Sequence, residues 1–312
     1  PPCGKIYLPD CSYREMTEWA LPTEAQHRYQ TITDQFRTYP NWQILQPWLR
    51  AGNWRNFKVK YSEANEMYSR MLQVSQKLHA ACLRCGEGKL LDLAQDHLYR
   101  GQCNCSYWHG AFGGIYLPHL RNAVYAELIA ADNSLDKLEH GNGSWVESTC
   151  EDYNLDGCNE IRLANDHLIT LIAPSSGGMM YELDIRKAQH NLLATMQRRP
   201  EVYHASIANH ACSQANPQMY RSDESIHASI QSNQSELDDH LQYDFYPRKS
   251  LLEHFFDNDL TLPMLTCGAA IERGDFVGAA FEAKLRRAVN KVQLQLTRDG
   301  NAWGIPLKLT KA

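Results

Sequence analysis

The stretch GQCNCSYWHGAFGGIYLPHL, residues 101–120, combines many aromatic rings with few charges. The apolar face of a pyranose stacks on Trp or Tyr, and its hydroxyls require neutral donors and acceptors in fixed places. Tyr107 and Trp108 supply the rings, while Asn104 and His109 supply neutral polar groups. The mixture favours a sugar-binding site, and the competing interpretation is that these rings belong to an ordinary core.

A second group of candidate ligands lies in the segment DYNLDGCNE. It contains Asp152, Asn154 and Asp156, with Glu160 further on, and this spacing matches the front half of a calcium-binding loop. Leu163 stands where an EF-hand carries its late glutamate. The segment therefore predicts either a structural calcium site or a turn closed by Asx side chains before a strand.

Four cysteines have the spacing C-x2-C followed by C-x-C, namely Cys82, Cys85, Cys103 and Cys105. A zinc site is one interpretation of such spacing. The chain has 312 residues and ten cysteines, and its amino end has no secretion signal, so we expect buried free thiols instead.

The first half of the chain is predicted to be helical. Ser12 and Glu15 have capping-box spacing, and Thr23 and Gln26 repeat it, so one helix is expected to start at each. A long helix with one buried face is predicted from apolar residues at steps of three and four: Tyr61, Ala64, Met67, Met71, Val74, Leu78 and Ala81. Further helices are predicted over 89–100 and 118–132, the second with Pro118 in its first turn.

The pattern changes to alternation in the second half, which favours an antiparallel β-sandwich. One hairpin is predicted over 168–185 and another over 292–309, the latter with its turn at Asp299 and Gly300. Between them, residues 204–240 are rich in Ser, Asn, Gln and His, and we expect a surface excursion with solvated His204, His210 and Cys212.

Composition excludes several classes of partner. The chain is long enough for two domains, and its net charge of -5 gives no general attraction for nucleic acid or anionic membranes. No apolar run reaches the length of a membrane span, and the amino end lacks a signal peptide's basic start. We therefore expect a cytoplasmic protein.

The segment QCNCSYWHGAFGGIYLPHLR resembles the fifth signature region of glycoside hydrolase family 57, which includes retaining 4-α-glucanotransferases and α-amylases. Other segments resemble the family in the same order: YLPDCSYREMTEWALP, NWRNFKVKYSEANEMYSRML, DYNLDGCNEIRL to RRPEVYH, YPRKSLLEHFFD and GDFVGAAFE. The resemblance thus covers nearly the whole chain.

This resemblance implies an α+β multidomain fold, with a (β/α)7 catalytic barrel, a helical segment packed against it and an antiparallel β-sandwich of mutarotase-like type. Residues 1–133 are expected to hold the end of the barrel and the helical domain. Residues 143–312 are expected to form the sandwich, truncated at its C-terminus. Most of the barrel is expected upstream of this sequence.

The resemblance also implies two groups of glucan-binding residues. The wall of the site is expected to comprise Asn104, Tyr107, Trp108 and His109, with Trp108 stacking on a glucose ring. The same groove is also expected to include Tyr13, Glu15, Trp19, Trp54 and Arg55. Some glucanotransferases have an acidic residue where Cys105 stands, so the subtype is left open.

Retaining cleavage needs one carboxylate as nucleophile and a second as acid and base. In the family these are a Glu and an Asp from earlier signature regions, and this sequence holds no counterpart of those regions. We therefore expect the C-terminal part of a retaining enzyme that acts on α-1,4-glucans or maltooligosaccharides and has the upstream barrel as its partner. The alternative is a non-catalytic carbohydrate-binding or scaffold protein, and neither requires a cofactor beyond the calcium considered above.

Overall fold

The computed structural model describes residues 14–109, 113–204 and 242–312. A helical part comes first and is followed by two antiparallel sheets, as the sequence predicts. Among the described residues, no helix has the length and apolar character needed to cross a membrane. Ser12, Tyr13, His210 and Cys212 lie outside the described residues, as does nearly all of the polar excursion.

The helical part is built from seven α-helices in the described chain: α1 (Arg14–Trp19), α2 (Thr23–Phe36), α3 (Trp42–Leu45), α4 (Trp54–Lys60), α5 (Ser62–Cys85), α6 (Lys89–Gly101) and α7 (Pro118–His140). Short 3-10 turns cover Gln46–Trp48, Asn104–Ser106 and Gly114–Tyr116. A short helix, α8 (Leu262–Thr266), lies later in the chain.

The predicted apolar face of α5 is confirmed, because it packs into one core with α6 and α7. Its members are buried except for Met71, which is half-buried. Pro118 is the first residue of α7, where a missing amide donor costs nothing. The predicted capping box at Thr23 is wrong: Thr23 is already helical and its hydroxyl donates to the carbonyl of Pro200 at 2.7 Å.

The first sheet contains β1 (Val146–Glu151), β2 (Glu160–Asn165), β3 (Leu168–Ala173), β4 (Met179–Ile185) and β5 (His190–Asn191), in chain order. The second contains β6 (Glu282–Ala288), β7 (Lys291–Ala302) and β8 (Ile305–Lys311). Neighbouring strands are antiparallel throughout. The two sheets meet through a shared apolar cluster of Ile172, Phe276, Phe281 and Leu296.

Both predicted hairpins form, but the turn of the second lies elsewhere. Asp299 and Gly300 pair within the ladder, and the chain reverses at Trp303 and Gly304, whose φ angles are 51° and 76°. Two positive φ angles fit the turn types that match the twist of a two-residue hairpin. Gly300 meets a different constraint, since a Cβ there would lie 2.3 Å from Oδ1 of Asp275.

A buried ion network joins the helices to the first sheet. Arg70 of α5 is 3% exposed, and its guanidinium lies 2.8 Å from Asp132 of α7 and 2.8 Å from Glu182 of β4. Asp184 of β4 lies 3.5 Å away, and Lys77 of α5 reaches Asp132 at 2.5 Å. Each carboxylate in this network lies close to a cation contributed by another element, which fixes how α5, α7 and β4 meet.

Replacing Arg70 by Met should therefore unfold the protein more easily. The substitution leaves Asp132 and Glu182 buried with one cation fewer, and breaking such a pair from one side costs about 3–5 kcal/mol. Urea titration followed by circular dichroism measures the loss. The control is Arg28→Met, which breaks an exposed pair with Glu24 and should change stability little. Equal effects of the two substitutions would contradict a role for the network.

Candidate functional site

An aromatic pocket of about 620 Å³ opens between α1, α2, the α3–α4 connection and the loop after α6. Five rings line it: Tyr29, Trp42, Trp54, Phe57 and Trp108. Polar side chains on the same walls are Arg14, Thr17, Gln46, Arg50 and Asn53. The walls that the described chain supplies thus combine indole faces with cationic and amide groups, and they carry no carboxylate.

The start of α4 aims Trp54 into this pocket. The Asn53 side chain accepts hydrogen bonds from the backbone amides of Arg55 and Asn56 at 3.0 and 3.2 Å, and the Asn56 side chain accepts one from the backbone amide of Asn53 at 3.0 Å. This reciprocal capping fixes the first turn of α4. Trp54 is the first residue of that turn, and its ring stacks on Phe57 at 5.5 Å.

The end of α1 and the segment that leads into α4 approach each other closely because Gly52 has no side chain. Its amide donates to the carbonyl of Thr17 in α1 at 2.9 Å. A Cβ at Gly52 would lie 2.9 Å from the Cβ of Ala20, which is buried against it. The end of α1 is therefore held directly against the segment that leads into α4.

A closed loop presents Trp108 to the pocket. The hydroxyl of Tyr107 donates to the carbonyl of Gly101 at 2.6 Å, and the amide of Ile115 donates to the carbonyl of Trp108 at 2.8 Å. The second bond brings the chain back across itself at Gly114, which has a φ of 48°. A Cβ there would lie 2.0 Å from the carbonyl oxygen of Trp108, so only glycine fits.

A buried carboxylate, Glu201, lies behind this loop. Its Oε1 accepts hydrogen bonds from the hydroxyls of Tyr61 and Tyr116 at 2.6 and 2.8 Å, and its Oε2 lies 3.1 Å from Nζ of Lys60. Tyr61 also contacts Nε2 of His109 at 2.6 Å. The Glu201 side chain is 1% exposed, so these partners replace the water that a carboxylate otherwise requires.

Burial is the main cause of the pKa shifts of the groups that surround Glu201. Burial first, and the Glu201 carboxylate second, raise the pKa of Tyr61 and the pKa of Tyr116 well above the ordinary range of a phenol. Burial lowers the pKa of Lys60, and Glu201 opposes that shift. Both phenols are therefore neutral hydrogen-bond donors at neutral pH.

The structure brings some of the predicted wall residues together and separates others. Trp54 and Trp108 line the pocket. Tyr107 and His109 are buried behind it, at 7% and 2% exposure. The remaining predicted residues that the structure describes lie outside the pocket walls, namely Glu15, Trp19, Arg55 and Asn104.

Three pocket rings were not predicted as site residues: Tyr29, Trp42 and Phe57. The cluster of three tryptophans between residues 42 and 54 was the available signal for Trp42. Glu201 was also missed, and the motif RRPEVYH was its signal. His204, predicted to be solvated, is half-buried, and its Nδ1 accepts a hydrogen bond from the Glu201 amide at 3.1 Å.

In the proposed calcium loop, the acidic side chains cap backbone amides. Asp152 accepts from the amides of Asp156 and Gly157 at 3.0 Å each, and Glu160 accepts from those of Tyr153 and Asn154 at 2.8 and 3.0 Å. Burial first, then the nearby Asp156 and Asp152, raise the pKa of Glu160 to about 7. These contacts form the Asx-closed turn that was the alternative interpretation, and calcium binding stays a prediction.

The cysteines that the structure describes are free thiols, but they are exposed and not buried as predicted. This holds for all seven that the structure describes, among them the candidate zinc ligands Cys82, Cys85, Cys103 and Cys105. Within the described chain, the group of three His, Cys, Asp or Glu residues whose ligand atoms all lie within 4.8 Å of one another consists instead of Asp136, Glu139 and His140.

Comparison with known proteins identifies the family. Residues 152–312 match the model of the C-terminal domain of α-amylase/4-α-glucanotransferase, and residues 52–135 match that of its middle domain. This chain belongs to the α-amylase/4-α-glucanotransferase family. The recognition of family 57 from the sequence motifs is thereby confirmed.

Relatives of the α-amylase/4-α-glucanotransferase family align along almost the whole chain. The α-amylase 1 of Dictyoglomus thermophilum is 32% identical over 293 residues, which cover 94% of this chain and 40% of that protein. The 4-α-glucanotransferase of Thermococcus litoralis is 33% identical, over 99% of this chain and 44% of that protein. The chain thus spans less than half the length of these relatives.

A solved structure confirms the fold. The crystal structure of 4-α-glucanotransferase from Thermococcus litoralis superposes with a TM-score of 0.76 at 31% identity, covering 97% of this chain and 41% of that one. The helical segment followed by antiparallel sheets is therefore an arrangement shared with that family member.

Substitution of Gly114 by Ala should displace Trp108. The new Cβ would lie 2.0 Å from the Trp108 carbonyl oxygen, so the loop must open. We expect a changed near-ultraviolet circular dichroism spectrum and a red-shifted tryptophan emission. Gly143→Ala is the control, because a Cβ there meets nothing within 4 Å. Spectra of Gly114→Ala that match those of Gly143→Ala would show that the loop does not depend on this glycine.

Proposed function

We propose that this chain is the middle and C-terminal part of an enzyme that breaks and remakes the α-1,4 bonds of glucans, and that its aromatic pocket binds the glucan. The observation that carries the proposal is the meeting of three indoles, from Trp42, Trp54 and Trp108, in one cavity of about 620 Å³. A cavity of that size falls in the range of small-ligand sites, which is about 300–1,000 Å³.

The chemistry of the walls suits a sugar chain. Indole faces present flat apolar surface to the C–H face of a glucose ring. The side chains of Asn53 and Gln46 offer neutral donors and acceptors, and Arg14 and Arg50 offer further donors to ring hydroxyls. A pocket with these groups holds glucose units by stacking and orients them by hydrogen bonds.

The relatives supply the support for activity. The Thermococcus litoralis relative is a 4-α-glucanotransferase and the Dictyoglomus thermophilum relative an α-amylase, and each is more than twice as long as the matched segment. The paired carboxylates of retaining cleavage would come from the (β/α)7 barrel of the remaining portion, with the end of that barrel in residues 1–133. Residues 143–312 would then form the mutarotase-like sandwich that supports this wall.

In this division of labour the chain contributes binding and exclusion of water. Transfer to an acceptor sugar succeeds when the acceptor reaches the glycosyl intermediate before water does. Aromatic walls that bury the acceptor remove water from the site and hold the sugar hydroxyl in position. Trp108 and Trp54 are the residues that we expect to do this.

Trp108→Ala should weaken binding of maltoheptaose to the chain by roughly five- to tenfold, since stacking contributes about 1 kcal/mol or more. Isothermal titration calorimetry measures the change. The control is Trp48→Ala, which also removes one indole, but one that is 80% exposed and outside the pocket walls. Unchanged affinity in Trp108→Ala, or equal losses in both variants, would exclude the pocket as the binding site.

Catalysis is expected to require the upstream barrel. Incubation of this chain with maltoheptaose should leave the distribution of chain lengths unchanged, as measured by anion-exchange chromatography. The same incubation with the chain fused to an upstream barrel that carries the carboxylate pair should redistribute the lengths. Redistribution by the isolated chain would refute the division of labour.

A further inference from the structure

The Glu201 carboxylate is linked by hydrogen bonds to both ends of the loop that carries Trp108. Tyr116, where the loop leaves, donates directly to Oε1 of Glu201 at 2.8 Å. His109, just after Trp108, reaches the same Oε1 through the hydroxyl of Tyr61, by two contacts of 2.6 Å each. His109 and Glu201 themselves are 3.7 Å apart, so the phenol is the link between them.

Counting protons assigns the direction of these bonds. A phenol has a single hydroxyl hydrogen, and an ionised carboxylate only accepts. The Glu201 carboxylate accepts in each of these contacts, because its Oε1 faces two hydroxyl donors and its Oε2 faces the ammonium of Lys60 at 3.1 Å. The hydroxyl of Tyr61 therefore donates its single hydrogen to Glu201. Its oxygen must then accept a hydrogen bond from Nε2–H of His109.

The same carboxylate reaches the other walls of the pocket. Lys60, its ion-pair partner, also donates to the carbonyl of Trp19 at the end of α1 at 3.2 Å. Tyr61 packs on Phe57, which lines the pocket, with ring centroids 4.5 Å apart. Glu201 is thus connected by direct or one-step contacts to α1, to Phe57 of the pocket wall and to the loop that carries Trp108.

We propose that Glu201 is a positioning residue, which acts through Tyr61 to hold His109 with a proton on Nε2 and so keeps the Trp108 loop in its binding geometry. The consequence for glucan affinity rests on the function proposed above. The assignment of the His109 proton does not, because it is argued from the contacts that join Glu201, Tyr61 and His109.

Glu201→Gln provides a sharp test, because an amide cannot satisfy all the donors that face the carboxylate. Its carbonyl oxygen is expected to turn towards the Lys60 ammonium, which places its NH₂ against the oxygens of Tyr61 and Tyr116. Tyr61 then accepts from the amide and has its own hydrogen free to donate to Nε2 of His109. The substitution should therefore move the His109 proton from Nε2 to Nδ1.

Histidine-ring ¹⁵N NMR of the full chain reads this proton directly, with the His109 signals assigned from their loss in His109→Asn. We expect a protonated Nε2 in the wild-type protein and in the exposed control Glu24→Gln, and an unprotonated Nε2 in Glu201→Gln. A wild-type spectrum with unprotonated Nε2 overturns the proposal even if Glu201→Gln fails to fold. A Glu201→Gln spectrum that keeps the wild-type proton position overturns it as well.

Binding of maltoheptaose gives the second measurement. Glu201→Gln should bind roughly tenfold more weakly than wild type, which corresponds to ~1.4 kcal/mol, while Glu24→Gln binds normally. Wild-type affinity in a Glu201→Gln variant whose His109 proton has moved would overturn the positioning role. Absence of binding by the wild-type chain would refute the proposed function, while the NMR result would still decide the position of the proton.

Discussion

The burial of the Arg70 guanidinium is the constraint on which the arrangement of helices and sheet depends. A charge without water must be matched by partners at hydrogen-bond distance, and here they come from α7 and β4. Burial alone would raise the pKa of Asp132, but Lys77 and Arg70 outweigh it and hold that pKa well below the ordinary range. Burial and the neighbouring Glu182 raise the pKa of Asp184 instead. The network thus contains one carboxyl group with a lowered pKa, Asp132, and one with a raised pKa, Asp184. A shift of α5 along the sheet would place its cations beside the wrong carboxyl groups.

The segment that follows β5 connects the first sheet to the residues behind the pocket. After β5 the chain runs back over the helices, where the carbonyl of Ala194 accepts from Arg121 of α7 at 3.1 Å. Glu63 at the start of α5 accepts from the amide of Gln197 at 2.9 Å and pairs with Arg199 at 2.8 Å. The segment then ends at Glu201 behind the Trp108 loop. Glu201, which is far in sequence from the pocket residues, is thereby positioned by contacts that begin at the first sheet.

Local patterns predicted the elements well, since the signal for each lies within the element. The apolar repeat of α5 and the Pro at the start of α7 are of this kind. The turn of the last hairpin was misplaced because Gly300 reads as a turn residue, whereas the approach of Asp275 is what excludes a side chain there. The aromatic stretch predicted Trp108 at a binding surface but gave no means to distinguish it from His109 and Tyr107, which face inward. The motif RRPEVYH marks the segment that holds Glu201, but the three partners of this carboxylate lie 85 or more residues away, so the motif does not report its contacts.

The crossing at Gly114 has an evolutionary consequence. The bond from Ile115 to Trp108 holds the Trp108 carbonyl oxygen against the backbone of Gly114. A lineage that keeps Trp108 in this place must therefore keep glycine at position 114, because any larger side chain would meet the Trp108 carbonyl oxygen.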